Sequence, residues 1–349
     1  MMCSVLKTIG STLVIALISV VLWLLLDGLF GHRIILEVYH FDVASIDHRL
    51  QPDSHSLPTN RDGIKGVRES SEFREEDFNI IFLGDSFVYN SLAGGISIPE
   101  LLEKRLNERL QTQHSKVANF AWPSSSPFLS LRLLHDLGEK YHPDLVLLGL
   151  DMTDFHDDMK YQLLIHRAPA FSQLVSRLPM TMTLLSVFDK DILHRLLLLS
   201  TKVDGLPLYG MYKSKYFWLT FDADESLKLF AYVKDSLDKI SELSHRMGAT
   251  FVLFVFPRNF QYNRAESPKD KHRYRYDFES DTVLLPFAYF AKLSSQVDYP
   301  IVSLLETFQQ TDVFPTCFED DPHWNQNGME LASTAIAEQL LAHVIGRKF

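Results

Sequence analysis

The chain has 349 residues, of which 46% are hydrophobic, so it is long enough to bury one large core or two smaller ones. Its 34 basic and 44 acidic residues give a formal net charge of −10 at pH 7. A net acidic chain argues against nucleic acid as a partner, because nucleic-acid binding needs a basic face. The sequence contains no P-loop, G-x-G-x-x-G, C-x-x-C or H-E-x-x-H motif, so no cofactor or metal is expected.

The first predicted element is an uncharged run, IGSTLVIALISVVLWLLL, from Ile9 to Leu26. The run just reaches the length at which a helix spans the hydrocarbon core of a bilayer. It is long for a signal peptide and no A-x-A pattern follows it, so residues 1–31 are predicted to be an uncleaved anchor with a transmembrane helix at about 9–29. A cleaved signal peptide is the alternative. Lys7 before the run favours a cytoplasmic N-terminus, with the bulk of the chain periplasmic or extracellular.

The two cysteines lie on either side of this predicted helix. Cys3 precedes it and Cys317 lies far beyond it, so they would be separated by the membrane and no disulfide is predicted. Cys317 is predicted to be a small core residue.

Residues 32–77 are polar and irregular in pattern, with a turn-like NRDG at 60–63, and are predicted to lead into a large domain at 78–349. In that domain short apolar runs alternate with helical patterns. The runs are IIFLG at 80–84, VANFA at 117–121, LVLLGL at 145–150, TFVLFVF at 250–256 and IVSLL at 301–305. Continuous apolar runs are typical of strands covered on both faces. The alternation predicts an α/β fold, a three-layer, doubly wound, parallel five-stranded sheet of flavodoxin-like type.

Helices are predicted between and after these strands. The first is SIPELLEKRLNERL, where Ser97 and Glu100 have the spacing of a capping box. Others are predicted at about 128–140, at 225–247 before Gly248, and at 328–344.

The first strand runs directly into Gly-Asp-Ser at 84–86. In sheets of this kind the reactive edge lies at the carboxyl ends of the strands, which places Ser86 at that edge. Ser86 is therefore a candidate nucleophile that needs a base. The alternative is a serine that only caps the following helix.

A candidate base lies in EDDPHWNQNG, 319–328, immediately before the last helix. His323 follows two acids, either of which could hold the imidazole tautomer and stabilise its charged form. The D-x-x-H spacing favours Asp320 as the orienting acid, and the D-x-H spacing through Asp321 stays open.

These features resemble those of the SGNH, or GDSL-like, hydrolases, and in particular their membrane-anchored bacterial members. The similar stretches are NRDGIKG at 60–66, the strand into GDS, YHPDLVLLGLDMTDFHDD at 141–158 and DPHWNQNG at 321–328, and the resemblance covers roughly residues 50–345. Such proteins are esterases, or O-acyltransferases that act on polysaccharides outside the cytoplasm. The resemblance implies that Ser86 is the nucleophile, that His323 is the general base, and that Asp320 or Asp321 orients it.

Two positions depart from the family pattern, in which the oxyanion hole uses the Ser N–H, a Gly and an Asn. Ser124 stands where the Gly is expected and Thr153 where the Asn is expected. Ser124 can still donate its backbone N–H, whereas Thr153 offers a shorter hydroxyl donor or none. Asp151 and Asp154 flank Thr153, and Asp154 is predicted to be a structural hydrogen-bonding residue.

Two segments exceed the minimal sheet. Residues 157–224 are predicted to be a helical insertion that packs on the core, or else a lid or a surface that docks on the membrane or on a partner membrane protein. The stretch RNFQYNRAESPKDKHRYRYDFES, 258–280, is predicted to be a charged, solvated loop, with an anionic glycan as the alternative ligand.

The sequence therefore predicts a single-pass, membrane-anchored protein with its catalytic domain outside the cytoplasm. The first function is ester hydrolysis or O-acyl transfer on an O-acylated, for example acetylated, glycan through an acyl-enzyme on Ser86. The alternative is a non-catalytic carbohydrate-binding or assembly subunit with a degraded oxyanion hole. The expected partners are the glycan or acyl donor, the inner membrane and a membrane protein.

Overall fold

The computed structural model describes residues 2–39, 49–54, 58–89, 95–111, 114–167, 215–270 and 275–343, together with nine positions between 177 and 207. The chain forms two compact units. The first contains residues 1–51 and 163–209, and the second contains residues 52–162 and 210–349.

The first unit is built on α1, Met2–Tyr39. Within it, Gly10–Gly31 is long and apolar enough to cross a membrane, with a mean hydropathy of 2.6 and almost no burial against the rest of the protein. The helix continues past residue 31, where the anchor was predicted to end, into a stretch that was predicted to be irregular. The sequence HRIILEVY has no Gly or Pro to break the helix, which explains the extension.

A buried acid of α1 holds part of the insertion. Asp27 is 1% exposed, and its carboxylate accepts hydrogen bonds from the backbone N–H groups of Met180 at 2.9 Å and Thr181 at 2.7 Å. The indole N–H of Trp23 donates to the Thr181 hydroxyl at 3.0 Å. The same unit contains a short antiparallel pair, β4 (Lys202–Val203) and β5 (Leu206–Pro207). Most of the insertion predicted at 157–224 lies outside the described residues.

The second unit contains one parallel sheet with strand order β2-β1-β3-β6-β7. Its strands are β1 (Phe78–Gly84), β2 (Ser115–Asn119), β3 (Leu145–Leu150), β6 (Thr250–Val255) and β7 (Ile301–Ser303). Its helices are α2 (Ser86–Tyr89), α3 (Ile98–Leu110), α4 (Pro127–Leu137), α6 (Ala223–Arg246), α7 (Asn259–Tyr262), α8 (Leu285–Leu293), α9 (Leu305–Gln309) and α10 (Gln326–His343), and α5 spans Asp154–Arg167. Short 3₁₀ turns lie at Ser70–Glu72, Gly138–Tyr141 and Phe217–Leu219. The predicted fold class, a five-stranded doubly wound sheet, is confirmed.

The second unit has three layers, a central sheet between two layers of helices. The three central strands are almost wholly buried, because helices cover both faces of the sheet. Helix α3 packs against α10, and α4 packs against α6, which gives the two helical layers. The predicted capping box at Ser97 is present, and Gly248 follows α6 with a φ of 78°, a conformation that favours glycine.

The outer edge of β2 is covered by side chains and by the segment before β1. The Asn107 side chain pairs with both the N–H and the carbonyl of Ser115, each at 3.0 Å. The Glu103 carboxylate accepts from the N–H of Val117 at 2.7 Å. Lys65 then bridges to the last residue of the strand through its backbone. The N–H groups at these positions of the edge therefore already have partners.

The segment before β1 is irregular but ordered around Asn60, which is 2% exposed. Its amide nitrogen donates to the Tyr141 hydroxyl at 2.8 Å and to the Arg68 carbonyl at 2.9 Å. Its amide oxygen accepts from the N–H groups of Asp62 and Ile64. The NRDGIKG stretch is thus a fixed turn of the second unit.

Candidate active site

The nucleophile candidate sits where β1 ends against β3. A Cβ on Gly84 would come within 2.4 Å of Val88, and a Cβ on Gly149 would come within 2.5 Å of the Phe256 ring. Contacts this short do not occur, so only glycine lets the two strand ends lie under α2. Ser86 is the first residue of α2 and is partly exposed at the carboxyl edge of the sheet, as predicted.

His323 reaches this serine from the loop before α10. Its Nε2 lies 2.7 Å from the Ser86 Oγ, a hydrogen-bonding distance, although the two residues are 237 positions apart. Its Nδ1 is hydrogen-bonded to Asp321 Oδ1, which also accepts from the His323 backbone N–H at 2.9 Å. The three side chains therefore have the hydrogen-bond pattern of a Ser-His-Asp arrangement.

The acid that is hydrogen-bonded to His323 is Asp321, whereas the D-x-x-H spacing had favoured Asp320. Asp320 is exposed, and among the described residues it has no hydrogen bond to His323. The shorter spacing succeeds because Asp321 forms a local turn in which one oxygen binds both the backbone and the ring of the histidine. Burial raises the pKa of Asp321, but the hydrogen bonds and charge of His323 outweigh it and leave the pKa below its ordinary value.

The loop that carries the histidine is fixed on both sides. The Glu266 carboxylate accepts from the N–H groups of Thr316 at 2.7 Å and Cys317 at 3.1 Å. The Ser267 hydroxyl donates to the Asp321 carbonyl at 3.1 Å. Cys317 is a buried free thiol, as predicted, and burial raises its pKa to about 12. It therefore remains a neutral packing residue at physiological pH.

Ser124, the first oxyanion candidate, has a φ of 62°. Left-handed backbone is rare for serine and common for glycine, which fits the position at which the family pattern has Gly. Its carbonyl accepts from the Tyr161 hydroxyl at 3.1 Å, and its side chain is exposed. Within the part of the chain that the structure describes, its N–H has no acceptor.

Thr153, the second oxyanion candidate, is bonded elsewhere. Its hydroxyl donates to Asp151 Oδ2 at 2.6 Å, and its N–H donates to the same oxygen at 3.0 Å. Asp154 Oδ2 accepts from the Asp151 N–H at 2.9 Å, so Asp154 has the structural role that was predicted for it. The Thr153 hydroxyl therefore already donates its hydrogen bond to a neighbouring carboxylate.

Arg258 is the residue of this region that the sequence reasoning missed. It was assigned to a solvated loop, but it is only 4% exposed and forms two hydrogen bonds of 2.5 Å, from Nε and Nη2, with the fully buried carboxylate of Asp151. Its guanidinium also lies 4.4 Å from the centroid of the Phe87 ring. The only sequence signal is position, because Arg258 follows the buried strand β6 by three residues and so falls at the reactive edge.

Phe87 links this cation to the histidine. Its ring centroid lies 4.8 Å from that of His323 and 5.0 Å from that of Trp324. The indole of Trp324 packs in turn on Phe256 and Phe308. The imidazole is therefore held between its acid and an aromatic wall.

The pKa values of three buried acids in this region are shifted in different directions. Burial raises the pKa of Asp85 to about 6, and the charge of Asp151 adds to this rise. Burial, followed by the charges of Asp85 and Asp151, raises the pKa of Asp154 well above its usual range. Burial also disfavours ionised Asp151, but Arg258 more than compensates and lowers its pKa. Arg258 therefore favours the ionised form of Asp151 in an ion pair, whereas burial and the neighbouring carboxylates favour the neutral form of Asp154.

No group of three or more His, Cys, Asp or Glu side chains with metal-binding geometry occurs among the described residues.

The second unit thus combines a doubly wound parallel sheet with a Ser-His-Asp arrangement at the carboxyl edge of its strands. No protein-family model matches the sequence, and no curated protein matches it. Solved structures that resemble it include an acetyl xylan esterase, AlAXEase (13% identity, 76% of this chain, 100% of that one, TM-score 0.38). TesA (13%, 75%, 99%, 0.40) and a GDSL-like lipase from Bacteroides thetaiotaomicron (10%, 79%, 95%, 0.38) also resemble it. The last of these is described as GDSL-like, and the GDSL-like hydrolases are the class that the sequence motifs resemble.

Proposed function

We propose that the protein is an SGNH-type serine esterase or O-acyltransferase that uses Ser86 as its nucleophile. The observation that carries the proposal is the 2.7 Å contact between Ser86 Oγ and His323 Nε2, with Asp321 bound to the other ring nitrogen. A serine bonded to a histidine that an acid orients is the arrangement that nucleophilic acyl transfer requires.

The proposed reaction begins when Ser86 Oγ attacks the ester carbonyl carbon and its proton passes to His323 Nε2. The carbonyl electron pair moves onto the oxygen and gives a tetrahedral oxyanion, which in this proposal accepts hydrogen bonds from the N–H groups of Ser86 and Ser124. Collapse restores the carbonyl, expels the alkoxide and returns the proton from His323 to the leaving oxygen. Water or a second hydroxyl then attacks the acyl-serine, with the same proton transfers, and releases an acid or a new ester.

The substrate class in this proposal is an O-acylated glycan outside the cytoplasm, with the chain held at the inner membrane by α1. The contacts of Asp27 and Trp23 with Thr181 support retention of α1 in this proposal, because they bond the helix to a residue far along the chain. The experiment described below tests whether water or a sugar hydroxyl accepts the acyl group.

A second candidate function, a non-catalytic glycan-binding or assembly subunit, is favoured by one observation. The Thr153 hydroxyl is bonded to Asp151, so the place where the family pattern has an Asn supplies no free side-chain donor. Loss of one oxyanion donor costs about 10²–10³ in rate.

Covalent labelling of the full-length protein in detergent with a fluorophosphonate separates the two functions. Labelling of the wild type at Ser86, with loss in Ser86→Ala and in His323→Ala, is expected for the enzyme. In a separate reaction, unlabelled enzyme is acylated with p-nitrophenyl acetate. The release of acetate is then compared with transfer of the acetyl group to an added oligosaccharide. A folded wild type that neither reacts with the fluorophosphonate nor hydrolyses the ester would overturn the enzyme proposal and leave the binding subunit.

A further inference from the structure

The candidate site contains several acidic side chains, whose negative charge would oppose the formation of an oxyanion. Carboxyl groups flank the candidate site, since Asp85 directly precedes Ser86, Asp321 is bonded to His323, and Asp151 is bonded to Thr153. Anions beside a developing oxyanion raise the barrier to its formation, and the family's Asn donor is missing at Thr153. Some positive charge is needed to offset them.

Arg258 is the buried cation at this place. Its guanidinium is 4% exposed, its Nε and Nη2 bind Asp151, and its face lies against Phe87, the residue after the nucleophile. Phe87 follows Ser86 directly, so the guanidinium lies beside the turn that carries the nucleophile, and its electric field acts on that turn. In a buried region of low dielectric constant, such a field is screened far less than it would be in water.

We propose that the positive charge of Arg258 stabilises the oxyanion of the tetrahedral intermediate and so takes over part of the task of the missing Asn donor. In this proposal Arg258 acts through its electric field. The proposal rests on the proposed function and concerns the same site. Arg258 follows strand β6, whereas Ser86, Ser124 and Thr153 follow three other strands of the sheet.

The alternative is that Arg258 and Asp151 form a purely structural pair. The two roles predict different responses when each partner is removed separately. If the pair is structural, loss of either partner leaves the other charge buried and unpaired, and both variants are damaged to a similar extent. If the charge of Arg258 assists the reaction, loss of the cation slows acylation, whereas loss of the anion leaves the cation more effective.

The experiment measures the second-order rate constant for fluorophosphonate labelling of Ser86 in full-length protein, together with thermal unfolding. We expect Arg258→Met to slow labelling by about 10-fold or more and Asp151→Asn to leave it equal or faster, although both lower the unfolding temperature. Arg258→Lys keeps the charge but loses the two-pronged hydrogen bond, so it should label faster than Arg258→Met.

Three outcomes would overturn the inference. The first is similar slowing in Arg258→Met and Asp151→Asn. The second is Arg258→Lys labelling no faster than Arg258→Met. The third, which is decisive where Arg258→Met does not fold, is Asp151→Asn labelling at least 10-fold more slowly than the wild type. A folded wild type that is not labelled at all would contradict the proposed function itself. A labelled wild type whose Arg258 variants are labelled equally fast would contradict only the role of Arg258.

Discussion

A single oxygen of Asp321 accepts hydrogen bonds from both the backbone N–H and the ring Nδ1 of His323. The two residues are separated only by Pro322, so the acid and the base form one rigid local unit before α10 begins. The histidine is thereby oriented from within its own loop rather than from a distant strand.

This relationship predicts unequal effects for the two neighbouring acids. Asp321→Asn replaces an acceptor with a group that no longer fixes the required tautomer, and in a comparable triad this change lowers kcat by about 10⁴. We expect a fall of about 10²–10⁴ in the labelling rate of Ser86. Asp320→Asn is the matched control and should change the rate by less than about threefold, since the side chain is exposed. The reverse ranking would contradict the geometry.

A second prediction concerns the Thr153 hydroxyl. Thr153→Val removes one hydrogen bond to Asp151 and should lower the free energy of unfolding by about 1 kcal/mol. Labelling of Ser86 should fall by less than the roughly 10² expected for a lost oxyanion donor. Thr153→Ser, which restores the hydroxyl, is the control. If Thr153→Val is slowed a hundredfold while Thr153→Ser is not, Thr153 donates directly to the substrate.

The raised pKa of Asp85 predicts that the stability of the folded protein depends on pH. Its folded-state pKa of about 6 is raised, so its contribution to folding is complete below its unfolded pKa and is lost as the pH rises through about 6. Asp85→Asn keeps an oxygen for the Phe87 N–H and does not titrate. Between pH 4 and pH 7 the wild type should lose on the order of 1–3 kcal/mol more unfolding free energy than the variant. Thermal unfolding at several pH values measures this difference, and parallel curves would contradict it.

The close approach at Gly149 predicts a steric effect. Gly149→Ala places a Cβ within 2.5 Å of Phe256 and 2.7 Å of Val88, and overpacking of this kind costs about 1–3 kcal/mol. Phe256→Leu alone leaves a cavity, but in the double variant it gives the new methyl room. The double variant should therefore be less destabilised than the sum of the two single variants, as measured by thermal unfolding. Simple additivity would mean that the strand ends relax instead.

The docking of the insertion on α1 is testable by cross-linking. A Cβ on Gly28 would lie 3.8 Å from the carbonyl of Arg177. Gly28→Cys with Arg177→Cys, in a Cys3→Ser background, should be joined by a short bifunctional thiol reagent, detected by mass spectrometry of the linked peptides. The control pair, Gly10→Cys with Arg177→Cys, should not react, because eighteen helical residues separate the two positions on α1 by about 27 Å. Equal yields from both pairs would exclude specific docking.

The parts of this architecture that could be predicted are those in which residue type and period carry the signal. The continuous apolar runs gave all five strands of the sheet to within a few residues, because strands buried on both faces tolerate little else. Ser86 and His323 were found because each adjoins a clear element boundary at the same edge.

The parts that were missed depend on burial and on turn geometry. Arg258 reads as a solvated residue because a charged side chain is normally exposed, and only the fold brings Asp151 to it. The choice between Asp320 and Asp321 depended on a local turn that both spacings permit. The end of α1 was placed too early because no residue from 32 to 39 breaks a helix, so hydropathy alone marked the boundary.

The covered edge of β2 has a consequence for self-association. An open strand edge is a template on which a second chain can add a strand. Here Asn107 and Glu103 already occupy the outward N–H groups of Ser115 and Val117, and Arg68 holds Glu103 in place with two hydrogen bonds of 2.7 and 2.8 Å. When copies of the protein meet, this edge therefore offers few free N–H groups on which a second chain could pair. Replacing both Asn107 and Glu103 with Ala would leave the site intact and turn the same strand into a nucleus for aggregation.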